Sequence, residues 1–329
     1  MATAEQIRAL VKSHSEGDDG RFSSVAMQVA AGEAKKGNTD FAAELRSLID
    51  RAKERTLRPA GIAIPFAAPH GELRDLLHSA TPDVRLADMV LPDVVRMRIE
   101  RIIDEQRQMA LLKGHNLRPR QRLLLVGPPG CGKTMTAAVL ASELGLPLFI
   151  VRLEGLVTKF MGETAAKLRL VFDAMERTRA VYLFDEFDSI GLERGSGNDV
   201  GEMRRVLNGF LTMLEHYHGS SLIVAATNHG HALDNALFRR FDDLIEFALP
   251  DAALLAETIR RRLSMTVETK PRMPYDKLAI AAQDMSYAEV VKACDEAVKG
   301  MLLAKRHELR AEDVARALEE RKAHFRRKP

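Results

Sequence analysis

The chain contains five short runs that are apolar throughout and that are bounded by Gly, Pro or polar residues. They are Leu123–Val126, Leu148–Val151, Val181–Phe184, Leu222–Ala225 and Leu244–Phe247. Parallel strands that are covered on both faces have this continuous apolar pattern. Helical periodicity fills the intervals between them, as in Thr134–Leu144, Thr164–Met175 and Glu202–Leu214. The pattern predicts a doubly wound α/β domain over residues 83–250, with a parallel sheet of five strands.

The segments on either side have other patterns. Residues 1–58 have apolar positions at helix spacing, which predicts a small all-helical docking domain. Residues 59–82 are rich in Pro and Gly, as linkers are. After Pro250 no strand pattern returns, and a helical lid domain is predicted over residues 251–329. Its four helices are expected at Leu254–Leu263, Tyr275–Ala282, Ala288–Leu303 and Ala311–Glu320.

A glycine-rich segment follows the first of the five runs and matches the phosphate-loop pattern in full. Its residues are Gly127, Pro128, Pro129, Gly130, Cys131, Gly132, Lys133 and Thr134, with Met135 opening the predicted helix. Glycines allow successive backbone N–H groups to point at phosphates, and the helix N-terminus adds its positive end. We expect Lys133 to reach the β- and γ-phosphates of a nucleoside triphosphate, and the Thr134 hydroxyl to hold Mg²⁺.

Two acidic residues end the third run. Asp185 and Glu186 come directly after Val181–Phe184, and ligands of parallel sheets bind at the carboxyl ends of strands. We expect Asp185 to hold Mg²⁺ through water, and Glu186 to act as the general base that polarises the attacking water.

Further segments complete a resemblance to a known family. Ala225-Ala226-Thr227-Asn228 and Leu233-Asp234-Asn235-Ala236-Leu237-Phe238-Arg239-Arg240-Phe241-Asp242 accompany the loop and the acidic pair. Together they resemble the AAA ATPases, near the subgroup of proteasomal ATPases, membrane-anchored AAA proteases and katanin. The resemblance covers about Leu86 to Arg321.

The resemblance implies roles for further residues and an assembly. Asn228 matches the asparagine that senses the γ-phosphate, and ATP is inferred as the nucleotide mainly from the family. Arg239 and Arg240 match arginine fingers that enter the site of a neighbouring subunit, and which of them is the main finger stays open. Fingers supplied in trans require a closed homo-oligomer, usually a hexamer, because an unclosed head-to-tail contact makes a filament.

Two segments bear on what such a ring acts on. Lys159, Phe160, Met161 and Gly162 resemble the central-pore loop of the family, which grips an extended polypeptide; the alternative is that Phe160 anchors the following helix. Glu215-His216-Tyr217 stands where many relatives have Asp-Gly-Phe at a signalling segment between subunits. Tyr217 is a candidate replacement for that aromatic residue.

The composition narrows the possible classes of protein and of partner. Hydrophobic residues make up 46% of the 329 residues, and the net charge is only +3, so a globular protein is predicted and nucleic acid is an unlikely partner. No apolar run approaches the ~20 residues of a membrane span, and the two cysteines suggest no disulfide framework. We therefore expect a cytoplasmic protein without a membrane partner.

These observations predict a hexameric, Mg²⁺-dependent ATPase that unfolds or remodels polypeptide substrates through a central pore. Two alternatives stay open. One is an ATPase switch that regulates a separately encoded partner, such as a protease or an adaptor. The other, less favoured by the small net charge, is a nucleic-acid motor or loader.

Overall fold

The computed structural model describes Met27, Asn38 and residues 71–156, 161–187, 198–230, 238–266 and 273–326. The chain divides into two compact units, Met1–Phe66 and Ala67–Pro329, and the following description concerns the second. The predicted N-terminal docking domain lies outside the described residues, apart from the two isolated positions.

The second unit begins with short elements and continues as an alternation of strands and helices. The strands are β1 (Leu77–Ala80), β2 (Arg122–Val126), β3 (Leu148–Val151), β4 (Val181–Phe184), β5 (Leu222–Thr227) and β6 (Asp243–Glu246). The helices up to β6 are α1 (Leu73–Leu76), α2 (Asp93–Arg107), α3 (Met109–Gly114), α4 (Lys133–Leu144), α5 (Leu153–Leu156), α6 (Met161–Arg177) and α7 (Asn198–His216). A 3-10 turn covers Leu86–Asp88.

The strands form one six-stranded sheet in the order β1-β3-β4-β5-β2-β6. The five predicted strands are present and mutually parallel. The predicted number of five is wrong, because Leu77–Ala80 pairs antiparallel with β3 at the sheet edge. This strand lies in the segment predicted as a linker. Its sequence pattern did not predict a strand, because His78 and Ser79 are exposed and only Leu77 is fully buried.

Alternate side chains of each strand enter two different cores. Leu124, Tyr182 and Phe184 belong to one core, which includes residues of α6 and α7. Leu123, Leu125 and Leu183 belong to the other, which includes residues of α2 and α4. Since both faces are covered by helices, every strand position can be apolar, which explains why the runs do not alternate. The three-layer arrangement leaves the strand ends as the polar edges of the sheet.

Among the described residues after β6, the structure has four helices: α8 (Ala252–Thr266), α9 (Tyr275–Ala281), α10 (Tyr287–Leu303) and α11 (Ala311–Arg326). They have a hydrophobic core of their own, to which Leu255, Ile259, Val290, Cys294 and Val314 contribute. Asp251 opens the first of them, because its side chain accepts a hydrogen bond from the Leu254 N–H at 2.9 Å. We call these four helices the lid.

Candidate active site

The glycine-rich loop connects the carboxyl end of β2 to α4, and the backbone of Gly127 fixes where it begins. The Gly127 N–H donates to the Thr227 carbonyl oxygen at 3.2 Å, so the loop starts beside the end of β5. Gly127 has φ +149°, and a Cβ there would collide with the backbone carbonyl of Phe247. Only glycine fits this combination of angle and close approach.

The Lys133 ammonium lies in a tight ring of oxygens. Its Nζ donates to the carbonyl oxygens of Gly127 at 2.7 Å and Pro128 at 2.8 Å, and to Asn228 Oδ1 at 2.8 Å. The residue is only 6% exposed. A buried cation needs such oxygens, because an unpaired one is strongly destabilising. The predicted phosphate-binding lysine and the predicted sensing asparagine are therefore in direct contact.

Asp185 and Thr134 meet at the same edge of the sheet. The Thr134 hydroxyl donates to Asp185 Oδ2 at 2.6 Å, and Asp185 Oδ1 accepts from the Glu186 N–H at 2.9 Å. The two predicted magnesium ligands thus present their oxygens together. Hydroxyl and carboxylate oxygens are the hard ligands that Mg²⁺ prefers, and Mg²⁺ usually keeps several waters besides one or two such groups. The donor set fits a partly hydrated magnesium ion.

Glu186 has a left-handed backbone conformation, with φ +50°. For a residue other than Gly, Asn or Asp this conformation is uncommon and costs on the order of 1–3 kcal/mol. The neighbouring Phe187 is buried, and its N–H donates to the Ala226 carbonyl oxygen at 2.8 Å. The chain is therefore anchored directly after Glu186, whose side chain stays exposed beside the loop.

Cys131 points away from solvent. It is fully buried in the core between the sheet and α2 and α4. Burial raises the pKa of its thiol, and the nearby Lys133 ammonium offsets only part of this effect. The thiol is neutral at ordinary pH and packs beneath the loop.

The two arginines lie at the opposite edge of the sheet. The Asp242 N–H donates to the Arg122 carbonyl oxygen at 2.8 Å, and Asp242 Oδ2 accepts from the N–H groups of Gln121 and Arg122, each at 2.9 Å. Arg122 is the first residue of β2, whereas the glycine-rich loop follows its last. With a rise of about 3.3 Å per residue, roughly 16 Å of strand separates the two edges.

Arg239 and Arg240 differ in their surroundings at that edge. Arg240 Nε forms an ion pair with Glu215 Oε1 at 2.8 Å, at the end of α7. Arg239 is exposed.

Tyr217 is a core residue of its own chain. It is 3% exposed, its hydroxyl donates to the Met175 carbonyl oxygen at 3.1 Å, and it accepts from the Ser221 N–H at 2.9 Å. Its ring meets Phe172 edge-on, with ring centroids 6.4 Å apart. The side chain does not reach the surface in this chain, so the interpretation of Tyr217 as a signalling aromatic between subunits stays a prediction.

Sequence reasoning missed the charged contacts that hold the arginine edge. Asp243 is almost buried and forms ion pairs with Arg98 at 2.5 Å and Arg120 at 3.1 Å. Arg120 also pairs with Glu105 at 3.4 Å, which ties α2 to the start of β6. No spacing rule could have found the two partners of Asp243, because they lie more than a hundred positions from it, although the acidic pair Asp242-Asp243 was a visible signal.

Part of the predicted pore loop lies outside the described residues, namely Lys159 and Phe160. Met161 and Gly162 begin α6. In the described part of the chain, no helix combines the length and the apolar character needed to span a membrane.

Comparison with known proteins agrees with this geometry. Residues 123–249 match the family described as "ATPase family associated with various cellular activities (AAA)". An uncharacterized AAA family ATPase of Sinorhizobium fredii is 31% identical over 97% of this chain and 96% of its own length. A putative 26S proteasome regulatory subunit homolog of Methanothermobacter thermautotrophicus is 32% identical over 61% of this chain. The ATP-dependent zinc metalloprotease FtsH 4 of Sphaerobacter thermophilus is 31% identical over 66%. The chain spans 55% and 34% of the length of the last two.

Proposed function

The chain belongs to the AAA ATPase family, and from this premise we propose that it works as a closed ring, of six subunits, that drives polypeptides through a central pore. The family membership rests on the relative that matches along almost the whole chain. It makes the protein an ATPase. The ring, its substrate and the roles of single residues are the proposal.

Within one subunit, the proposed roles follow from the contacts at the loop. Lys133 and the loop N–H groups bind the β- and γ-phosphates of ATP, while Thr134 and Asp185 hold Mg²⁺. Glu186 takes the proton of the attacking water, and Asn228 orients that water against the γ-phosphate. The contact between Asn228 and Lys133 supports a shared target for both side chains.

The observation that carries the ring is the separation of the arginines from the loop. In one chain they are at opposite edges of the sheet, and β2 lies between them. An arginine finger must touch the transferring phosphoryl group, so these arginines can serve only another subunit. A contact that joins one edge of a subunit to the opposite edge of the next is head-to-tail, and it forms a ring when its rotation closes.

The division of work between the two arginines follows from their partners. Arg240 is paired with Glu215 and belongs to the scaffold of the edge. Arg239 is exposed, so we propose it as the main finger. Arg240 then supports its position.

The proposal of a polypeptide substrate rests on Phe160 and Met161 and on the relatives, which include a putative 26S proteasome regulatory subunit homolog and an ATP-dependent zinc metalloprotease. Apolar side chains in a pore grip many sequences, since hydrophobic contact is not directional. The alternative, an ATPase switch acting on a separately encoded partner, needs no such grip.

The test compares Phe160→Ala with the parent for ATPase rate and for unfolding of a tagged fluorescent protein. Threading predicts that the ATPase rate stays within about twofold while unfolding is lost, because the grip acts after hydrolysis. Met265→Ala, which removes an exposed apolar side chain from the lid, is the matched control and should unfold the substrate normally. Unfolding that survives in Phe160→Ala favours the switch.

A further inference from the structure

The helix α5 is too short to hold its own position. It has four residues, Leu153–Leu156, and the predicted pore loop that begins with Lys159 follows it in the chain. A helix of this length is not stable by itself, because its few hydrogen bonds do not offset the entropy cost of nucleation. The position of α5 is therefore determined by its neighbours in the fold.

One neighbour is the segment of residues 73–80, which consists of α1 and β1 and which we call the strap. The Arg152 N–H, directly before α5, donates to the Leu76 carbonyl oxygen of the strap at 2.9 Å. Leu76 is buried and belongs to the same hydrophobic core as Leu153 and Leu156. The strap thus holds α5 both by a backbone hydrogen bond and by apolar packing.

Gly155 allows the strap and α5 to approach closely. A Cβ at Gly155 would lie 3.4 Å from the Asp75 carbonyl oxygen and 3.5 Å from Leu76 Cδ2, both of which belong to the strap. These are van der Waals distances, so the backbone of α5 and the strap are separated by about the width of one methyl group. The two elements are therefore packed without a gap at this point.

The second neighbour of α5 is the helix α6. Lys167 Nζ of α6 donates to the Gly155 carbonyl oxygen at 2.9 Å. The last carbonyl groups of a helix have no partner within it, and a lysine is suited to bind them. The helix α6 begins at Met161, within the predicted pore loop, and α1 packs against α6 as well as against α5. The strap and Lys167 therefore connect the helices on the two sides of the loop.

The strap also changes the place of β3 in the sheet. The strand β3 lies between β1 and β4, so without the strap it would be the edge strand. Its residues Leu148–Val151 pair with β1 in an antiparallel register. An edge strand has a row of unpaired backbone groups on one side. The strap gives β3, and α5 directly after it, support on that side.

We propose that the strap is a brace for the pore loop, and that Leu76 and Lys167 are positioning residues which pass the load of a gripped polypeptide to the sheet. This inference rests on the proposed function, because only a loop that pulls on a polypeptide is loaded in this way. It assigns a role to a segment whose sequence reads as a linker. A weakened brace lets α5 move under load, so that hydrolysis continues while less of it is converted into unfolding.

The brace is distant from the glycine-rich loop, so its effect can be separated from hydrolysis. In the sheet order, β4 and β5 lie between β3 and β2, the strand that leads into the glycine-rich loop. With neighbouring strands about 4.8 Å apart, β3 and β2 are separated by roughly 14 Å. Substitutions in the brace should therefore leave ATP binding and the ATPase rate nearly unchanged.

The test is Lys167→Met in the full chain, which removes the donor and keeps most of the side chain. The amount of a tagged fluorescent protein unfolded per ATP should fall by about tenfold, the factor to which loss of one hydrogen bond from a charged group corresponds. Lys167→Arg keeps a cationic donor and should restore the yield. Lys299→Met, at an exposed position of α10, is the matched control and should behave as the parent does.

Leu76→Ala tests the contact on the other side of α5, and Leu318→Ala is its matched control. Both leucines are buried, Leu76 in the core beside α5 and Leu318 in the core of the lid. Both variants should therefore melt at a lower temperature than the parent. Only Leu76→Ala should also unfold less substrate per ATP. Equal losses of yield in the two variants would show a general loosening of the fold and would overturn the role of the strap.

The stability of the substrate provides a readout that a purely structural role would not change. A support that carries load matters most when the substrate resists unfolding. The deficit of Lys167→Met should therefore shrink when the tagged fluorescent protein is replaced by a destabilised version of it. A deficit of the same size with both substrates contradicts the proposal.

Phe160→Ala separates this proposal from the one on which it rests. If Phe160→Ala loses unfolding while Lys167→Met and Leu76→Ala keep the parental yield per ATP, the pore stands and the strap is not its brace. If unfolding survives in Phe160→Ala, the pore itself is refuted and the brace with it.

Discussion

The two polar edges of the sheet contain residues of the same kinds but organise them differently. At the carboxyl edge, Lys133 contacts Asn228 and Thr134 contacts Asp185, in and beside the glycine-rich loop. At the amino edge, Arg240 is paired with Glu215, and Asp242 and Asp243 are used to hold backbone and arginines. One edge forms a site, and the other forms a rigid support for an exposed arginine. In the proposed ring, a single chain holds two complementary halves of one site.

The largest loss of ATPase rate should come from removing Arg239, the exposed arginine at the amino edge. Arg239→Ala should lower kcat by about 10³-fold or more, as loss of an arginine finger does, and leave the Kd for ATP unchanged. Arg240→Ala should lower kcat less, because its Glu215 pair acts within the chain. Arg118→Ala, at an exposed position before β2, serves as the control. Equal and large losses in both variants would remove the distinction between the two arginines.

A smaller loss of rate is expected at the carboxyl edge. Glu186→Gln should lower kcat by about 10²–10⁴-fold, the range of general-base catalysis, while ATP still binds. Single-turnover hydrolysis and equilibrium binding, measured on the same preparation, separate the two quantities. Full activity of this variant would exclude Glu186 as the base.

Asp242 tests whether the support must be rigid. Its carboxylate accepts two backbone hydrogen bonds at the start of β2, so Asp242→Ala should allow the backbone at Arg239 and Arg240 to shift. A displacement near 1 Å can cost about 10²-fold, and we expect kcat to fall toward that value with ATP binding unaffected. A variant that loses ATP affinity instead would show that the two edges are not separate.

The smallest effect concerns Tyr217. Tyr217→Phe leaves the buried Ser221 N–H without its partner, whereas the Met175 carbonyl oxygen keeps the Ser221 hydroxyl, and it should lower the free energy of unfolding by about 1–2 kcal/mol. Chemical denaturation measures this change. The ATPase rate per folded protein should stay constant. A lost rate at unchanged stability would favour a signalling role for Tyr217.

The sequence predicted the carboxyl edge well because its signals are local. A phosphate loop, an acidic pair and an asparagine each follow an apolar run, and parallel strands bring such ends together without further information. The five parallel strands were likewise visible, since each is covered on both faces.

The features that the sequence did not predict are determined by tertiary contacts. The edge strand β1 is short and half exposed, so its sequence does not form a continuous apolar run. Tyr217 follows the polar Glu215 and His216, and its burial against Phe172 is decided by the packing of α6 against α7. The pairs of Asp243 with Arg98 and Arg120 join distant parts of the chain.

The central claim is that the two edges complete one site only between subunits, and co-expression of two inactive variants tests it most directly. Lys133→Ala keeps the arginine and loses the phosphate contact, while Arg239→Ala does the opposite. Random mixing in a closed ring predicts that about a quarter of the interfaces combine an intact loop with an intact arginine, so ATPase activity should return to roughly that fraction of the parent. A mixed assembly no more active than its two components measured alone would show that the arginine does not act across the interface.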